Sequence, residues 1–335
     1  PHFLIDLWSR WDARWYLSII EKGYTVPPDL TTQISNVAFF PLYPYLIKGI
    51  AWFLPDAWAA KASVQLLIGI LLSNLCFLAA AGLLYQLISE WTGKEKTASL
   101  TLKLLFIFPT SFYFSCFYTE SLFLFLSAAC FMAAWKRKWW AAGLFGGLLA
   151  LTRPQGVFIA VPMVWLYMES RQWKVRAIRS DLAWLVGIPA AVAVHFVSLF
   201  PLSGSYWAPL LAQRSWRQEG TNLINDIGFI ISTPAADVFK LDAFFWVVFF
   251  FLAVIAIWRL PSPALAIYTI LLLMLPISMG AFTSVSRYLV VCFPVFIVAA
   301  DMLRNRSFLE KLVTTLLFTI QSLYFLGWVN YYWIA

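Results

Sequence analysis

In the stretch SRWDARWYLSIIEKGY, residues 9–24, Asp12 stands between Arg10 and Arg14 and among Trp8, Trp11 and Trp15. A carboxylate set among aromatic rings loses hydration, and a less hydrated carboxylate is a stronger base. Arginines could grip a phosphate, because the planar guanidinium offers paired donors that match phosphate oxygens. Two more arginines abut the ends of apolar runs: Arg153 in LTRPQG (151–156) and Arg287 in SVSRYLVVCFP (284–294). Arg214 lies in the segment between two other apolar runs. A second acid, Glu120, occurs in FPTSFYFSCFYTESLFLFLS (108–127), where Pro109 and a series of hydroxyl residues interrupt an apolar pattern. The chain therefore holds a base that could accept a hydroxyl proton and cations that could bind a phosphate.

What must position these residues is a set of greasy helices. The chain is 62% hydrophobic and 12% charged, whereas a soluble domain carries about 25% charged residues. Long apolar runs recur along it, and the ten-residue alternating pattern of a β-barrel is absent. The expected fold is all-α, a polytopic transmembrane bundle of about ten spans forming a single domain over residues 1–335. The spans are placed near 63–89, 97–116, 119–135, 139–152, 155–168, 182–201, 242–258, 263–281, 286–303 and 312–333. Lys and Arg crowd the connections 90–96, 136–138, 169–181, 259–262 and 304–311, which puts those on the cytoplasmic side. Segments 1–62 and 202–241 then face outside, and both are too long to be mere connectors. Ten cations lie on the external side, Arg217 and Lys240 among them, and six of the ten are arginine. Loop solvation and headgroup contact would account for most of them. Arg153 and Arg287, however, each abut a helix end at the membrane surface and are the first candidates for a phosphate clamp, ahead of Arg14 and Arg214. The net charge of +8 follows from the cytoplasmic loops, so no nucleic-acid partner is expected.

Over residues 8–22 a helix would line up Trp8, Trp11, Trp15 and Ile19 on one face, as in a helix lying along a bilayer surface. Arg10 and Arg14 would lie about 200° round from Asp12, and Trp8 and Tyr16 would be its neighbours. Asp12 could instead cap that helix or join a surface ion pair, and Asp6 could pair with Arg10 four residues on. Glu120, in the first turn of its span, suits the helix dipole without any further role. His195 falls inside an apolar run, where a hydrogen-bonded packing role is the ordinary one. Cys76, Cys116, Cys130 and Cys292 all lie in apolar runs and read as small core residues. No Walker A loop, GxGxxG, HExxH or GxSxG stretch is present, and no DxD pair, so neither a cofactor nor a metal is expected.

Five stretches, SRWDARWYLSIIEKGY (9–24), NVAFFPLYPYL (36–46), FPTSFYFSCFYTESLF (108–123), LTRPQG (151–156) and SRYLVVCFPVF (286–296), carry a resemblance. In that order they resemble the PIG-V type of GPI-anchor mannosyltransferase and its prokaryotic relatives, within the GT-C superfamily of membrane glycosyltransferases. The resemblance implies a polyprenyl- or dolichyl-phosphate-linked mannose as donor and inverting transfer on the external or lumenal face. It implies an acidic catalytic residue in the first external segment, which falls on Asp12; the residues themselves make Arg10, Arg14, Glu120, Arg153, Arg214 and Arg287 the substrate-binding candidates. Trp15 stands where eukaryotic members usually have histidine, and the family's first span is expected before Pro1. Both departures point to a prokaryotic plasma-membrane enzyme with an acceptor other than a GPI precursor, the endoplasmic reticulum being the alternative location. Competing readings are a GT-C transferase for another lipid-phosphate sugar and, in a different class, a lipid or sugar transporter. A transporter would be expected to show internal repeats or paired broken helices, which the sequence lacks.

Overall fold

The computed structural model describes residues 3–215, 237–278, 284–332 and 334. Every regular element among the described residues is helical. Four helices are long and apolar enough to cross a membrane: Ala62–Thr92, Ser180–Ser203, Leu241–Arg259 and Ser307–Val329. Shorter apolar helices occupy Glu120–Trp135, Trp139–Ala150, Pro263–Met274 and Phe293–Leu303. This is a helical membrane protein, and each of the ten anticipated spans meets a helical segment among the described residues, with 279–281 and 333 lying outside them. Two of the anticipated spans are interrupted. The helix beginning at Glu95 stops at Ile107, ahead of Pro109, and a 3-10 turn covers Ser111–Ser115. The segment 286–303 breaks between Leu289 and Phe293, where Pro294 would leave the preceding turn without a donor.

Packing sorts the chain into two compact units. The first comprises 1–80, 113–160 and 170–218, and the second 81–112, 161–169 and 219–335. In the first unit, α1 (Phe3–Leu7) and α2 (Ala13–Lys22) are separate helices. The single helix anticipated over 8–22 is thus corrected. Trp11 adopts φ 54°, a left-handed conformation that no bulky side chain favours, and a helix cannot run through it. The tryptophan stripe breaks with it. Ile19 is fully buried, Trp8, Trp11 and Trp15 are half-buried, and Asp6 no longer shares a helix with Arg10. The outward aromatic face of segment 1–62 lies further along, beyond α3 (Leu42–Ala51), where Trp52, Phe53 and Trp58 are 78%, 80% and 60% exposed. Lys61 Nζ sits 5.6 Å from the Trp58 ring. Aromatic rings flanked by lysine suit the level of lipid headgroups.

Helix α7 (Glu120–Trp135) packs on α8 (Trp139–Ala150), and α8 packs on α10 (Gly187–Ser203). The small residues of α8 allow close approach, as is usual where lipid supplies no hydrophobic drive. A methyl group at Gly143 would lie 2.2 Å from the carbonyl oxygen of Trp184.

The second unit is built round Phe108, whose ring centroid lies 5.1, 5.3 and 5.4 Å from those of Phe245, Phe249 and Phe296. At one end of this unit Asp301 binds Lys94, Arg259 and Arg304 at 3.3, 3.2 and 3.0 Å. Connections 90–96, 259–262 and 304–311, grouped by their charge, therefore come together. Ser262 also donates to Glu169 at 2.7 Å. At the other end Thr110 Oγ1 donates to the Ser286 carbonyl at 2.9 Å.

Candidate active site

The first unit gathers three of the five motif stretches whole and residues 113–123 of a fourth. Asn36 joins the first two: its Nδ2 donates to Ser18 Oγ and to the Gly23 carbonyl, both at 3.0 Å, and its Oδ1 accepts the Thr25 N–H at 2.9 Å. Trp15 stacks on Phe39 and Tyr16 meets Phe39 edge-on, with centroids 6.1 and 5.1 Å apart. The Leu42 N–H donates to the Leu151 carbonyl at 3.0 Å, which ties the second stretch to LTRPQG.

The third stretch holds the turn that carries Asp12. The Phe117 N–H donates to the Trp8 carbonyl at 2.8 Å. The Tyr118 hydroxyl donates to the Arg10 carbonyl at 2.8 Å and accepts the Asp12 N–H at 3.2 Å. One phenol thus clamps both sides of the strained Trp11. Behind it, Ser73 Oγ donates to the Tyr118 carbonyl at 3.1 Å, and the Tyr43 hydroxyl lies 2.9 Å from both Ser73 Oγ and the Gly69 carbonyl. Gly69 is needed there, since a Cβ would fall 2.2 Å from the Phe117 ring. Asp12 occupies the N-cap position of α2 but makes no side-chain capping bond to it, and it is half-buried. Backbone hydrogen bonds hold the residue in place.

Glu120 follows Tyr118 by two residues, opens α7 and is fully buried. Its Oε1 accepts Arg153 Nη2 at 2.5 Å, with the arginine side chain 5% exposed. The local sequence explains how Arg153 arrives there. Pro154 forces the preceding residue out of helical geometry, and Arg153 is extended at φ −157°, ψ 155°. Gly156 then lets the chain turn back against α8, because a Cβ would lie 2.2 Å from the Leu149 carbonyl oxygen.

The other candidates are placed differently. Arg10 is buried, while Arg14 is exposed, as is Arg214 in the last turn of the helix Ala208–Arg214. Arg287 belongs to the second unit, 4% exposed in the short helix Val285–Leu289, its guanidinium 5.9 Å from the Tyr288 ring centre. Arg217 and the side chain of Lys240 lie outside the described residues. His195 packs among aromatic rings, 5.7 Å from Tyr24 and 5.2 Å from Phe40, and its Nε2 has no hydrogen bond among the described residues. The hydrogen-bonded packing role expected for it is thus not seen at that nitrogen. All four cysteines are buried thiols. Among the described residues no group of three His, Cys, Asp or Glu side chains is placed to hold a metal.

Sequence reasoning missed two functional-looking residues, Tyr118 and Asp242. Asp242, fully buried at the start of an apolar run, accepts hydrogen bonds from Ser286 Oγ and from the Ser286 N–H, the latter at 3.3 Å. An ionisable residue opening a span was the available signal.

Residues 2–175, which contain the Asp12 turn and the Glu120–Arg153 pair, match the family described as Mannosyltransferase (PIG-V). The chain belongs to that family. Among the PIG-V relatives, GPI alpha-1,6-mannosyltransferase 2 of Mus musculus is 31% identical over 151 residues, 44% of this chain and 29% of that protein. GPI mannosyltransferase 2 of Drosophila pseudoobscura pseudoobscura is 29% identical over 121 residues, 35% of this chain and 25% of the relative. The matched stretch thus spans under a third of the length of these relatives. The crystal structure of ArnT from Cupriavidus metallidurans bound to undecaprenyl phosphate superposes with a TM-score of 0.50 at 14% identity, covering 87% of this chain and 54% of ArnT. That likeness shows that this PIG-V family chain shares the GT-C fold.

Proposed function

We propose that the protein transfers mannose from a polyprenyl-phosphate carrier to an acceptor hydroxyl on the external face of a prokaryotic plasma membrane. Residues 1–335 act as one catalytic domain in this reading. Asp12 is the general base that takes the acceptor proton, and the sugar inverts by direct displacement. As the lipid phosphate departs, arginine donors stabilise the charge that develops on it. Arg287 is the leading phosphate candidate, and Arg10, Arg14 and Arg214 are the further ones. The Glu120–Arg153 pair supports the Asp12 turn through Tyr118 and Thr119. That ArnT was solved with undecaprenyl phosphate supports a lipid-phosphate donor here.

One observation supports this reading: Tyr118 fixes Asp12 through its backbone, beside the left-handed Trp11. A positioned base typically contributes about 10²–10⁴-fold to rate. Asp12→Asn keeps size and hydrogen bonding but accepts no proton. Transfer from radiolabelled polyprenyl-phosphate mannose in membranes should therefore fall by about two orders of magnitude or more, with expression and donor binding retained. Near-normal turnover would remove Asp12 and leave Asp6, since Glu120 is committed to Arg153. A parallel panel of polyprenyl-phosphate glucose and arabinose decides the sugar.

A further inference from the structure

Asp242 has no place in the chemistry above, yet it is completely buried. A buried carboxylate loses hydration, and replacing both partners of such a bond by apolar groups of the same shape is often neutral for stability. Stability alone therefore does not call for an acid at this position. What the acid does is hold a short stretch of backbone. The Ser286 hydroxyl and the Ser286 N–H both donate to Asp242 Oδ1. On the other side of the same residue, Thr110 Oγ1 donates to the Ser286 carbonyl at 2.9 Å. Ser286 is thus fixed at its N–H, its side chain and its C=O. Two residues earlier Ser284 has φ 71°, a left-handed conformation that needs such support. Arg287 is the next residue along, and its N–H belongs to the peptide whose carbonyl Thr110 holds.

We propose that Asp242 is a positioning residue: by holding Ser286 it fixes the backbone from which Arg287 reaches the phosphate of the lipid-linked donor. The inference rests on the phosphate-binding reading of Arg287, so its test separates the two. Full-length wild type, Asp242→Ala, Arg287→Ala and the double variant are assayed with radiolabelled polyprenyl-phosphate mannose. Hydrogen exchange of residues 284–289 is followed in parallel. Asp242→Ala should raise exchange in that segment and lower kcat/KM about tenfold, the scale of charge-assisted hydrogen bonds. In the Arg287→Ala background the same substitution should cost no further activity while still loosening the segment. A merely structural role would lower activity equally in both backgrounds, and that result overturns the proposal. Unchanged exchange and unchanged kcat/KM in Asp242→Ala, with Arg287→Ala impaired, overturns the positioning role and leaves the phosphate ligand standing. Normal kcat/KM in Arg287→Ala overturns the ligand itself, and the exchange measurement then reports whether Asp242 still holds the segment. If Asp242→Ala fails to accumulate, Ser286→Ala removes one donor and keeps the peptide. It should lower kcat/KM about two- to tenfold, again only when Arg287 is present.

Discussion

Among the described residues, each unit buries one carboxylate completely and holds it by different means. In the first, Glu120 is met by the guanidinium of Arg153 at 2.5 Å. In the second, Asp242 is met by the hydroxyl and N–H of Ser286. An ion pair of this kind balances its own charge, and an arginine already balanced draws a phosphate less strongly than its formal charge suggests. A carboxylate held by neutral donors instead fixes a backbone. On the proposed reading Arg153 serves the scaffold and the segment around Arg287 serves the anion.

The largest effect should come from splitting the first pair. Removing one partner of a buried salt bridge leaves an uncompensated charge, which typically costs about 3–5 kcal/mol. Arg153→Ala and Glu120→Ala should each lower the thermal midpoint of the detergent-solubilised protein by that measure. Glu120→Gln combined with Arg153→Met should recover most of it. An Arg153→Ala protein that is stable but loses donor affinity alone would reverse the comparison and return Arg153 to the phosphate. Asp242→Asn keeps an acceptor for Ser286 and should cost less than either.

How far the site could be read beforehand follows from what each residue's position depends on. The stretches around Asp12, Glu120 and Arg153 stood out because charged side chains interrupt apolar runs, and the structure links all three in one unit. The helix over 8–22 was misread because its tryptophan spacing fits a helical stripe, whereas the left-handed Trp11 is set by a contact more than a hundred residues away. Tyr118 looked like one more aromatic in an aromatic segment, since nothing local says that its hydroxyl faces the Asp12 turn. The helical segments were legible because apolar runs are a property of the local sequence. The division into two interleaved units was not, because it depends on which helices pack together.

A smaller effect tests whether the first unit's site depends on hydrogen bonds or on its ion pair alone. Tyr118→Phe keeps the ring and removes the hydroxyl that bridges the Arg10 carbonyl and the Asp12 N–H. A buried hydrogen bond contributes roughly 0.5–1.5 kcal/mol net, so the thermal midpoint should move little. Turnover should fall by more than that figure alone gives, because the base shifts as the Trp11 turn relaxes. Turnover that tracks stability would mean that the Glu120–Arg153 pair, and not the phenol, places Asp12.

The smallest effect belongs to a carboxylate that repeats the second unit's mode of bonding in open water. Asp29 accepts the Thr31 N–H and hydroxyl at 2.8 and 2.7 Å and the Thr32 hydroxyl at 2.7 Å, yet it is exposed. Those hydroxyl and amide donors favour the charged form, the Thr32 hydroxyl most, and hold its pKa down at about 2. A carboxyl group depressed in the folded state stabilises its turn at pH above the ordinary aspartate range. That contribution is lost as pH falls through the folded value, between about 4 and about 2. Asp29→Asn should mimic the acid form at neutral pH: faster exchange of the Thr31 N–H, unchanged turnover and no measurable shift in midpoint. The bonding resembles that of Asp242, but water can replace every donor at Asp29. If Asp29→Asn instead lowered turnover as far as Asp242→Ala does, burial would not be what separates the two carboxylates.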